Sequence, residues 1–167
     1  MGLINDKFCS VEQIISRCQL GDLIEIHHPN CTFNHWAVYI GDGNVVHVRQ
    51  PWTRKELLLT AACGNPVRIN NGKHSKILKS PALDGEKIVE AALEQLGVEW
   101  YNLQFYGCEM FAVRCRYGVK VNMTELYKNN NVDIGTVDEC AVAVSMSNPL
   151  VTYGHETHEH QGDLKHL

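Results

Sequence analysis

The sequence predicts an α+β domain: an antiparallel β-sheet carrying a pair of histidines, packed against helices, one of which begins at a cysteine. Three observations predict it. Two β-rich runs, His35-Trp36-Ala37-Val38-Tyr39-Ile40 and Val45-Val46-His47-Val48, flank Gly41-Asp42-Gly43-Asn44, a strong hairpin signal. Two later segments repeat apolar residues at helical spacing. A chain of 167 residues, 44% apolar and 20% charged, supports one well-buried core and not two comfortable domains.

Taken in order, Ser10 and Gln13 form a capping-box pattern that opens a short helix over about residues 10–18. Gly21-Asp22 ends it, and Leu23, Ile24 and Ile26 predict a strand ending at His27-His28-Pro29. The hairpin follows, then a basic stretch with strands near 57–60, 66–69 and 75–79. Asp84 to Leu96 reads as an amphipathic helix, with Val89, Ala92, Leu93 and Leu96 on one face and Gly97 as its stop. After a loop at Trp100-Tyr101-Asn102, Cys108, Phe111, Ala112 and Cys115 repeat the spacing, placing Cys108 near the start of a second helix that ends at Tyr117-Gly118. The pattern weakens beyond residue 120. Residues 1–120 therefore form the expected folded domain, and 121–167 an acidic, His-rich and partly disordered extension.

Charge and cysteine usage narrow the class. The net charge of −4 argues against a general nucleic-acid binder. Residues 1–120 carry 13 Lys/Arg against 12 Asp/Glu, and residues 121–167 carry 2 against 7, so the acidity belongs to the extension. Seven cysteines, with no C-x-x-C pair and no N-terminal leader, predict free thiols in a reducing compartment. The sequons at Asn30 and Asn122 then carry no meaning for glycosylation, and Asp6 argues against myristoylation at Gly2. The stretch from Cys140 to Val151 is about 12 residues long and interrupted by polar residues, against roughly 20 for a spanning helix, so no transmembrane segment is expected.

A nucleophilic cysteine needs a lowered pKa and a base within reach. Cys108 alone has a claim to a helix N-terminus, where unpaired N–H groups favour a thiolate. The hairpin offers His35 and His47 as bases. A three-residue loop at Gly41-Asp42-Gly43 pairs residue 37 with 47 and puts both histidines on one side. A two-residue loop at Asp42-Gly43 pairs 38 with 47 and separates them. The bland alternatives are a buried free thiol and two half-buried strand histidines.

These residues carry a resemblance. Gly21-Asp22-Leu23-Ile24-Glu25-Ile26, the run from His35 to Gly43, Val45-Val46-His47, Trp100-Tyr101-Asn102-Leu103, Cys108-Glu109-x-Phe111 and Arg116-Tyr117-Gly118 agree in order and spacing with the lecithin:retinol acyltransferase-like domain. The resemblance covers about residues 20–118. It is strongest to the small phospholipase/acyltransferases related to H-Ras-like suppressors, and some picornaviral proteins share the same histidine-box and cysteine motifs. It implies a permuted relative of the NlpC-type papain-like fold. It further implies Cys108 as nucleophile, His35 as general base, His47 as the group orienting His35, and an acyl-thioester drawn from a glycerophospholipid at a membrane surface. No metal or other cofactor is implied. The chain departs from the family in three ways: Gly107-Cys108-Glu109-Met110 stands where Asn-Cys-Glu-His is common, the tail lacks a hydrophobic anchor, and the short gap from His47 to Cys108 argues against retinol as acceptor. Readings as a peptide or amide hydrolase, or as a non-catalytic interaction module, stay beside the lipid enzyme.

Two further features are expected to be peripheral. Arg49, Arg54, Lys55, Arg68, Lys73, Lys76 and Lys79 face a single acid, Glu56, across 49–79. They read as a solvated face or, more sharply, as a phosphate-facing patch with Trp52 as an interfacial anchor. His155, His158, His160 and His166 read as a disordered tail rather than a metal site.

Overall fold

A computed structural model describes residues 6–31, 33–99 and 107–131. The loop at 100–102, the 140–151 stretch and the tail histidines lie outside the described residues. The elements in chain order are α1 (Val11–Ile14), β1 (Leu23–Ile26), β2 (His35–Gly41), β3 (Asn44–Arg49), β4 (Trp52–Leu57), α2 (Leu58–Ala62), β5 (Val67–Ile69), α3 (Gly72–Leu78), α4 (Gly85–Glu94), α5 (Gly107–Tyr117) and α6 (Met123–Asn129). The strands form one antiparallel sheet in the order β4-β3-β2-β1-β5. The α+β class and the helix-packed antiparallel sheet are as the sequence predicts.

Alternation along each strand divides the core. On one face Ile24, Ile26, Ala37, Tyr39, Val45 and Val67 pack with Ile14 of α1 and Leu58 of α2. On the other, Leu23, Trp36, Val38, Val46 and Val48 pack with Ile88 and Ala92 of α4 and Phe111, Ala112 and Cys115 of α5. Every position of β1 is buried, which explains its unbroken apolar character apart from Glu25. A third cluster joins α5 to α6 through Met110, Val113, Tyr117, Met123 and Tyr127, with Ile77 and Leu78 of α3 packed against it.

Several local expectations hold. Ser10 Oγ accepts from Gln13 N at 3.3 Å and Gln13 Oε1 from Ser10 N at 2.9 Å, the reciprocal capping box. Its helix is shorter than expected, Val11–Ile14. The hairpin, β1 and β5 fall where they were placed.

Two expected strands are helices. Leu58–Ala62 is α2, because Leu58, Ala61 and Ala62 recur at i, i+3 and i+4 and are buried together, while Leu57 and Leu59 stay exposed. The segment near 75–79 belongs to α3, where His74 is buried and Ile77 and Leu78 pack at the same spacing. A short apolar pair without its polar partner, His74, looks like a strand.

The face of α4 is also rotated. Ile88 and Ala92 are buried, whereas Leu93 and Leu96 are each 39% exposed. A close approach sets this rotation: a Cβ on Gly85 would stand 2.5 Å from the Leu20 carbonyl oxygen, and one on Gly21 2.8 Å from Ile88 Cδ1. The α4 start thus lies directly against the α1–β1 turn, and Ile88 points inward. Gly85→Ala is expected to destabilise the fold by about 1–3 kcal/mol, read from urea unfolding, because backbone would have to move.

Candidate active site

The hairpin resolves its register by combining both geometries considered for it. Asp42 and Gly43 have φ of 52° and 78°, the two-residue turn with both centres left-handed. Tyr39 Oη braces it by accepting from Gly43 N at 3.0 Å. Next to the turn Gly41 pairs with Asn44, but Tyr39 pairs with Val45 and Val38 with Val46, so Ile40 is an extra, bulged residue. The bulge shifts the strands by one position and places Ala37 opposite His47. A two-residue loop therefore yields the same-side histidines that the sequence reading tied to a three-residue loop.

His35, the first residue of β2, and His47 on β3 accordingly meet on one side of the sheet. His35 Nε2 lies 2.7 Å from His47 Nδ1, with the rings edge to face at 5.0 Å. The chain continues beyond the pair. Val45 pairs with Glu56 on β4, so Glu56 stands diagonally to His47, and His47 Nε2 lies 3.1 Å from Glu56 Oε2. Arg49 Nη1 is 3.4 Å from Glu56 Oε1.

Burial sets the charge states. Burial holds His35 well below the usual imidazole range, and His47, His28 and Arg49 add to this. Burial also lowers His47, against the hydrogen bond and charge of Glu56. Burial alone would raise Glu56, but the His47 hydrogen bond and the charges of Arg49 and Arg54 hold the carboxyl below its ordinary value. Two neutral imidazoles beside an ionised carboxylate leave one consistent arrangement of protons. Glu56 only accepts, so His47 carries its proton on Nε2; its bare Nδ1 then accepts from His35 Nε2–H, and His35 keeps a free lone pair on Nδ1.

Cys108 is the second residue of α5, at the helix start where periodicity placed it. Helix α5 packs on the Trp36 face of the sheet, and Cys108 rests partly buried against that cluster. The cluster includes Trp36, the residue after His35, whose main-chain N–H favours the thiolate. Structure thus joins His35 directly to His47, and packs Cys108 against the cluster that holds Trp36, the neighbour of His35 on β2. The expected lowering of the thiol pKa is not what the site produces. Burial pushes Cys108 up to about 12, with the neighbouring Glu109 charge adding to the rise, against main-chain hydrogen bonds from Trp36, Glu109 and Cys108 itself. Loss of hydration outweighs the helix start.

Sequence reading missed Glu56 as a member of the chain. Its signal was present: it is the single acid among seven cations of 49–79, and β4 alternation places it on the His47 face. Missed as well was a second buried network, in which His74 and Lys73 of α3 and Tyr127 of α6 converge on Glu109. The basic stretch is not one free face: Arg49 pairs with Glu56, Arg68 with Glu25 at 2.6 Å and Lys73 with Glu109 at 3.1 Å. Trp52 is 37% exposed. Among the described residues no group of three or more His, Cys, Asp or Glu side chains could hold a metal ion, and no helix is long and apolar enough to cross a membrane. Cys9, Cys18, Cys63, Cys108 and Cys115 are free thiols.

Comparison with known proteins shows the family. The family model described as lecithin retinol acyltransferase matches residues 16–58 and 50–121. Phospholipase A and acyltransferase 2 of Homo sapiens is 37% identical over 123 residues, covering 62% of this chain and 73% of the relative. Phospholipase A and acyltransferase 3 of Homo sapiens is 35% identical over 119 residues, covering 59% and 70%. Phospholipase A and acyltransferase 1 of Homo sapiens is 31% identical over 144 residues, covering 75% and 80%. With its motifs in order, its helix-packed antiparallel sheet and a matched span that includes His35, His47 and Cys108, the chain belongs to the lecithin retinol acyltransferase family.

Proposed function

We propose that this protein is a cysteine-dependent acyltransferase and phospholipase A-type hydrolase, taking an acyl chain from a glycerophospholipid through a thioester on Cys108. The observation that supports this reading best is the buried His35–His47–Glu56 chain, which leaves a lone pair on His35 Nδ1. In the proposed first half-reaction that nitrogen accepts the thiol proton as the sulfur bonds to the ester carbonyl carbon. Main-chain N–H groups at the start of α5 stabilise the oxyanion. The ester C–O bond then breaks, and the leaving oxygen takes the proton from His35, releasing lysophospholipid. In the second half-reaction water or an amine attacks the thioester, again deprotonated by His35, and the thiol is restored. His47 keeps the base in the correct tautomer and spreads the positive charge toward Glu56. We place the protein in the cytoplasm, meeting membranes transiently.

Phospholipid labelled in one acyl chain tests the reading. The expected result is a hydroxylamine-labile acyl adduct that maps to Cys108. Absence of any adduct would sink it and favour a non-catalytic module, and cleavage of peptides without lipid turnover would favour an amide hydrolase.

The charge relay has its own expected effect. Glu56→Gln keeps the size of the side chain but offers His47 Nε2 a donor as readily as an acceptor, which favours the wrong tautomer. A comparable Asp→Asn change one step nearer the base costs up to about 10⁴-fold in serine proteases, so about 10–10²-fold in kcat is expected here. KM for phospholipid should stay within about twofold, since Glu56 touches no substrate group in this scheme. Steady-state assays on mixed micelles would read the split.

A further inference from the structure

Behind the nucleophile lies a buried carboxylate with no part in the proposed chemistry. Glu109 follows Cys108 directly, is 2% exposed, and turns away from the thiol into the space between α3, α5 and α6. Three donors converge on its Oε1: His74 Nε2 at 2.7 Å, Lys73 Nζ at 3.1 Å and the Tyr127 hydroxyl. His74 is itself fully buried, and Tyr127 Oη lies 3.3 Å from its Nε2. The imidazole of His74 meets the Trp36 ring edge to face at 4.8 Å, and Lys73 Nζ caps the Trp36 and Tyr127 rings at 5.4 and 5.0 Å.

The placement of these contacts matters more than their number. Glu109 is bonded to the nucleophile residue, and Trp36 to His35. Cys108 also packs against the buried cluster that holds Trp36. One carboxylate therefore holds, through His74, both the segment that carries the thiol and the segment that carries the base. A buried acid at this depth is costly to desolvate, and could be replaced by an apolar side chain without loss if packing were its only role. Satisfied by three donors, it makes a rigid and directional tie. Tyr127 reaches in from α6, beyond the span matched by the family model.

We propose that Glu109 is a positioning residue, and that the Glu109–His74–Tyr127–Lys73 cluster is a clamp fixing Cys108 against β2 beside His35. The tie is built from a segment of α6, so the alignment of the site depends on residues outside the histidine and cysteine motifs. Displacement of a reacting atom by about 1 Å costs on the order of 10²-fold in rate, which sets the scale expected when the clamp is loosened.

This inference rests on the proposed role of Cys108, and its test separates the two. Glu109→Gln removes the charge beside the thiol and weakens its hold on His74 and Lys73. Both changes ease attack on Cys108, so alkylation by iodoacetamide at that residue is expected to be at least threefold faster, while the exposed Cys63 alkylates at its wild-type rate. Acylation by phospholipid, in contrast, is expected to fall at least tenfold in kcat with KM within twofold. A more reactive thiol in a slower enzyme is the signature of lost alignment; a purely structural role would lower the melting temperature and leave kcat of the folded protein intact. Tyr127→Phe, which keeps the ring packing and removes one donor, gives the same pattern at about fivefold in kcat and serves if Glu109→Gln does not fold. Wild-type kcat in either folded variant would overturn the clamp. If the wild-type protein forms no acyl adduct, the function proposed above fails, and the Cys108-to-Cys63 alkylation ratio alone decides: an unchanged ratio overturns the clamp, and a threefold rise sustains it.

Discussion

Cys108→Ala is expected to abolish both the acyl adduct and phospholipid turnover, leaving only the uncatalysed background. Cys115, Cys18, Cys9 and Cys63 are not placed to replace it. Cys115 lies two turns along α5 inside the core, and burial pushes it up to about 12. Burial also pushes Cys18 up to about 12, and Asp22 adds to this. Cys9 packs at the rim of the opposite core face, and Cys63 caps α2 at the surface. The cost to folding should be small, about 1 kcal/mol, because one sulfur leaves a half-buried site. Loss of activity in a variant with near-wild-type unfolding in urea would therefore report chemistry. A residual adduct on Cys108→Ala, located by peptide mapping at another cysteine, would contradict the assignment of the nucleophile.

Much of this site was legible because its parts obey local rules. Alternation fixes which hairpin residues share a face, and helical spacing of Cys108, Phe111, Ala112 and Cys115 fixes the inner face of α5. What stayed open depended on a single extra residue. Whether His35 and His47 meet turns on Ile40, whose bulge changes no hydrophobic pattern and so leaves no mark in the sequence. Glu56 was hidden for a related reason: its partner is chosen by the register of β3 on β4, a long-range fact. The helix α3 was misread because its inner face is built from His74 with Ile77 and Leu78, and a buried histidine looks polar until Glu109 is seen to satisfy it. The pKa of Cys108 was misjudged because a helix start acts locally, whereas burial is a property of the whole packed site.

His35→Gln is expected to lower the acylation rate by about 10³–10⁴-fold, and the larger value follows from the state of the thiol. Burial pushes Cys108 up to about 12, so a lone thiolate is scarce at neutral pH and proton transfer to His35 must accompany attack. Gln preserves a side-chain amide for the His47 Nδ1 contact but offers no base. The variant must then react through the rare thiolate, and its residual rate should climb about tenfold per pH unit across the neutral and mildly alkaline range. The wild-type rate should instead be level there. It should fall only in acid below the ordinary imidazole value of 6.5, because burial, with the charges of His47, His28 and Arg49, holds His35 well beneath it. The same shift links to stability with a definite sign. Below 6.5 the unfolded chain binds a proton at this position while the folded site resists it, so wild-type stability falls as pH drops through that window. His35→Gln removes that contribution, and its melting temperature should decline less steeply between neutral and mildly acidic pH. A pH-independent residual rate in the variant would mean that another group takes the thiol proton. A wild-type melting curve no more acid-sensitive than the variant's would mean that His35 is not held neutral by the fold.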